Sequence, residues 1–127
     1  MQKRKPKAAE QIEMLPWLSA AVQFRERRFI QVGTSLLHSK RFQALSIGAR
    51  YLLFCMAMDA GKNMIFEFPK GSGMRYGIPY ASHSRYIAEL IEHKFLVLKQ
   101  SGRQTFHKNV YAFCLDWKIR QHPDDVI

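Results

Sequence analysis

At 127 residues, with 47% of its side chains apolar, the chain can bury a core without help from metals or disulfides. Twenty Lys and Arg against ten Asp and Glu give a net charge of +10, which favours polyanionic partners, either nucleic acid or an acidic membrane surface. No run approaches the roughly 18 consecutive apolar residues of a membrane span, and the first residues lack the apolar core of a signal peptide, so a cytoplasmic protein outside the membrane is expected.

Residues 1–9 form a basic tail carrying Lys3, Arg4, Lys5 and Lys7 without a hydrophobic pattern. The segment from Ile12 to Phe24 is too apolar for a free linker; it packs on the domain, pairs with a second copy as a homodimer, or docks on another protein. Arg25, Glu26, Arg27 and Arg28 mark an exposed boundary, which divides the chain into an extension (1–28), a folded domain (29–118) and a C-terminal tail (119–127).

Within the domain, Phe29 to Thr34 reads as a strand and Ser35 to Ser39 as a turn of helix. The stretch from Leu45 to Ala60 predicts the longest helix, capped by Ser46, stopped by Gly61, and apolar around most of its circumference as a central core helix is. Its Cys55, like Cys114 further on, is expected to act as a small buried hydrophobe of a reducing compartment. Met64 to Phe68 predicts a short strand, and Pro69 to Tyr76 a short helix weakened by Gly71 and Gly73, each costing about 1 kcal/mol relative to Ala.

The break Gly77-Ile78-Pro79 then separates that helix from another over residues 80–93. His83, Ile87, Leu90 and Ile91 share one face of it, and Tyr80 or Ser82 is placed to cap the first turn. The opposite face carries Ala81, Ser84, Arg85 and Ala88, small or hydrogen-bonding side chains with a single long cation. Phe95 to Gln100 reads as a strand, Ser101 to Gln104 as a turn and Phe106 to Cys114 as the returning strand. A helix-turn-helix followed by a basic hairpin is the layout of a winged helix. The expected class is α+β, a three-helix core with a small antiparallel sheet.

The run from Leu36 to Trp117 resembles the winged helix-turn-helix modules of replication initiators in phages, plasmids and integrative mobile elements. The residues that carry the likeness include Leu36-Leu37-His38-Ser39, Ala49-Arg50-Tyr51-Leu52, Phe66-Glu67-Phe68-Pro69, Glu89-Leu90-Ile91-Glu92 and Asn109-Val110-Tyr111-Ala112-Phe113. It departs in having His83 where such modules carry an aromatic residue, and a Gly-rich segment before it.

The resemblance implies double-stranded DNA as partner, with helix 80–93 in the major groove and Tyr80, Ser82, Ser84 and Arg85 near the base edges. Lys99, Arg103, Gln104, His107 and Lys108, on the wing 99–108, would follow the backbone, and Lys70 and Arg75 would hold flanking phosphates. The implied role is replication, maintenance or transcriptional control of a mobile genetic element. The alternative is a protein–protein interaction module of the same fold.

No enzyme is expected. The five histidines are scattered without Cys or carboxylate at zinc-site spacing, and no nucleophile–base pair or paired carboxylates are visible. Gly71-Ser72-Gly73 lacks the Lys-Ser/Thr ending of a phosphate loop, so neither metal nor cofactor is expected.

Overall fold

A computed structural model describes residues 17–18, 27–102 and 108–114. The chain divides into two units, Met1–Gln31 and Val32–Ile127. In the first, Trp17 and Leu18 form an exposed turn, and most of the apolar extension read from Ile12 to Phe24 lies outside the described residues.

The second unit is α+β, with five helices and a three-stranded antiparallel sheet among its described residues. Two one-turn helices come first, α1 (Thr34–Leu37) and α2 (Lys40–Gln43). The strand expected from Phe29 to Thr34 is absent. Instead Gly33, in extended backbone, opens α1, and its carbonyl accepts from the amides of Leu36 and Leu37. Ser39, fully buried, caps α2 by accepting from the Phe42 amide, which seats the Phe42 ring against Phe54 and Phe95.

Helix α3 (Ile47–Ala60) follows, and the expected limits hold: Ser46 accepts from the Ala49 amide at its start, and Gly61 takes φ +64° at its end. Ala49, Leu52, Leu53, Cys55, Met56 and Ala60 are buried along it, whereas Ile47 and Tyr51 remain exposed. Strand β1 (Ile65–Glu67) then buries Phe66 between two exposed neighbours. Helix α4 (Lys70–Arg75) forms in spite of its two glycines because one of them is needed. A Cβ on Gly73 would stand 3.0 Å from the His83 ring, so the glycine lets α4 lie close to α5.

Helix α5 (Tyr80–Glu92) buries His83, Ile87 and Leu90. Neither Tyr80 nor Ser82 caps it; the N-cap position is Pro79, which lacks a capping side chain, and its carbonyl accepts from the Ser82 amide. The helix ends with Lys94 at φ 71°. The Phe95 amide returns to the Leu90 carbonyl and the Lys94 amide to that of Ile91, a Schellman closure in which lysine fills the place glycine usually takes.

Strand β2 (Leu96–Gln100) leaves that turn and pairs with β3 (Val110–Phe113), which also pairs with β1, giving the order β1-β3-β2. The register sets Phe66 beside Tyr111 and Leu98 beside the same residue; a bulge between Leu98 and Gln100 leaves Lys99 out of the pairing. Cys55 is buried and Cys114 half-buried, and both are free thiols. Among the described residues no helix is long and apolar enough to cross a membrane.

Candidate nucleic-acid interface

The outer side of α5 is the starting point, because burial of His83, Ile87 and Leu90 turns Ala81, Ser84, Arg85 and Ala88 outward, and all four are exposed. Arg85 lies 5.2 Å from the Tyr86 ring centroid and donates to the Ser82 hydroxyl at 3.4 Å, so its guanidinium is steadied at the surface of the helix. Ser82 is half-buried in that contact. Tyr80, at the first position of the helix, is 60% exposed and carries the Lys70 ammonium 4.1 Å above its ring.

Lys70, Ser84 and Lys108 come together. Three elements meet at a cleft of about 280 Å³: the Phe68–Lys70 corner where α4 begins, the flank of α5 bearing His83, Ser84 and Ile87, and the entry to β3 at Lys108, Asn109 and Tyr111. The other anticipated residues are dispersed. Arg75 is turned to Asp59 at the end of α3, at 3.2 Å, and Lys99 is exposed at the bulge of β2. Arg103, Gln104 and His107 lie outside the described residues.

His83 is 4% exposed and stacks on Phe68 with ring centroids 6.0 Å apart. Its Nδ1 is buried without a hydrogen-bond partner among the described residues. Burial, and after it the neighbouring Lys70 ammonium, push the imidazole below its usual range, outweighing a hydrogen bond to the Phe68 backbone. The ring is a packing group of the core.

Two residues the sequence reading did not single out for a role shape this face. Asn109 accepts from the Gly102 amide at 2.6 Å and donates to the Tyr111 hydroxyl at 3.2 Å, tying the two ends of the β2–β3 connection; an Asn just ahead of a strand was the available clue. Glu89 takes the Ser46 amide and hydroxyl on its two carboxylate oxygens, both at 2.8 Å. It completes a capping box in which the acid comes from α5, since α3 itself has Ala49 at the position that would supply one. Partial burial would raise this carboxyl, yet the two bonds from Ser46 hold it below the usual carboxylate range.

Among the described residues no three His, Cys, Asp or Glu side chains gather to hold a metal ion. No protein-family model matches the chain, and neither does any curated protein or solved structure.

Proposed function

We propose that the second unit is a winged helix that binds double-stranded DNA, with α5 laid in the major groove and the β2–β3 hairpin along the backbone. The order helix, strand, helix-turn-helix, hairpin, closed by the sheet order β1-β3-β2, supports the fold assignment. One observation carries the functional one: the first three turns of the exposed side of α5 hold Ala81, Ser84 and Ala88, small or hydrogen-bonding side chains, around one steadied cation, Arg85, and the one exposed acid of the helix, Glu92, lies at its far end. Such a side approaches base edges closely, and a guanidinium is suited to bidentate contact with guanine. The family resemblance extends the reading to replication, maintenance or transcriptional control of a mobile genetic element.

Selection of random duplexes by the purified protein tests this. A recurring site is expected, and Arg85→Ala should relax preference at one position of it, at a cost of about 1–3 kcal/mol. Failure to enrich any sequence, or a preference that Arg85→Ala leaves intact, would remove α5 from the groove.

A second reading, a protein interaction module, is favoured by a row across the sheet. Ile65, Ala112 and Val97 are register neighbours, and Ile65 and Val97 are 56% and 42% exposed. An apolar row of this kind is suited to covering a partner's surface.

A further inference from the structure

The cleft between α4, α5 and β3 is larger and more apolar than contact with a bare phosphate requires. We infer that it seats one sugar-phosphate unit, the phosphate between Lys70 and Lys108 with the Ser84 hydroxyl, and the sugar on the floor made by Phe68, Ile87 and Tyr111. This deepens the DNA-binding reading and rests on it.

Charge selects the anion. Two lysines from separate elements line the cleft, and no Asp or Glu is among its described lining residues. Lys70 is already held, its ammonium 4.1 Å above the Tyr80 ring, so little side-chain freedom is lost when it meets a phosphate. The volume, about 280 Å³, falls just below the roughly 300 Å³ at which small-molecule sites begin. Phe68, Ile87 and Tyr111 are only 1%, 7% and 4% exposed, so the floor is a rigid, shallow apolar surface, and the apolar face of a pentose resting on it is removed from water as a lone ion is not.

The floor also argues for a sugar rather than a base. Phe68 is stacked on Tyr76 and on His83, and Tyr111 is packed on Phe66, so these rings are committed to the core and do not offer a free plane. Recognition at this point is therefore independent of sequence, and complements the reading of bases by α5.

The test uses the full chain and two probes, a deoxynucleoside monophosphate followed by NMR and a duplex titrated at several salt concentrations. The monophosphate should shift the amide resonances of Ser84, Ile87 and Asn109 saturably, at least tenfold more tightly than inorganic phosphate does. Ser84→Phe, which fills the mouth without changing charge, should abolish those shifts. For the duplex, a phosphate neutralised by both lysines predicts that Lys70→Gln with Lys108→Gln lowers the log–log salt slope by about 1. A fall of about 2, added up from the single variants, would mean two separate phosphate contacts and would overturn the inference.

An unmoved set of cleft resonances with an unchanged salt slope would overturn it as well, while leaving duplex binding intact. If the monophosphate binds as described and the duplex does not, the cleft is a site for a free sugar phosphate and the DNA reading falls.

Discussion

At His83 a titratable ring has been enclosed where a positive charge is disfavoured, between the Phe68 ring, the bare backbone of Gly73 and the Lys70 ammonium. Because its folded pKa is depressed below the ordinary 6.5, the unfolded chain binds more protons there, and stability that is complete above that pH is lost as pH falls below it. Thermal unfolding between pH 7 and pH 5 should show this decline, and His83→Phe, which keeps a planar ring against Phe68, should flatten it; an equally steep decline in the variant would assign it to other groups. The burial of His83 was legible in the sequence from its spacing to Ile87 and Leu90. The role of Gly73 was not. Propensity reads that glycine as a helix breaker, and only the neighbouring helix reveals that a Cβ there would crowd the His83 ring.

Between elements, α3 lies close against α5. A Cβ on Gly48 would fall 2.2 Å from the Tyr86 ring, well inside contact distance. Gly48→Ala must displace that ring, and we expect it to lower stability by about 1–3 kcal/mol, the usual cost of overpacking. On a Tyr86→Ala background the same change should be neutral or stabilising, since Ala is the better helix former; similar losses in both backgrounds, measured by denaturant titration, would show that the ring is not the obstacle. The limits of α3 were legible because Ser46 and Gly61 act locally. Its acid partner was hidden, since Glu89 stands 43 residues away and nothing in the pattern near Ser46 points to it. The supposed strand at Phe29 to Thr34 failed for a related reason: an apolar run states a preference for burial, while pairing depends on a partner strand, and none of the described strands pairs with these residues.

For the whole molecule, charge is the widest-ranging property. With a net charge of +10, and cations on α4, α5 and both ends of the hairpin, the proposed duplex contact with roughly six phosphates predicts a log–log salt slope of about −5. An affinity that hardly changes with added salt would dismiss backbone binding through these residues. Tying of α5 into its surroundings bears on any attempt to replace that helix. Glu89 supplies the start of α3, and Lys94, in a left-handed backbone, sets where the chain turns into β2. A transplanted α5 therefore has to bring both positions with it, and a graft limited to the outward residues 81, 84, 85 and 88 is the one that leaves the host scaffold undisturbed.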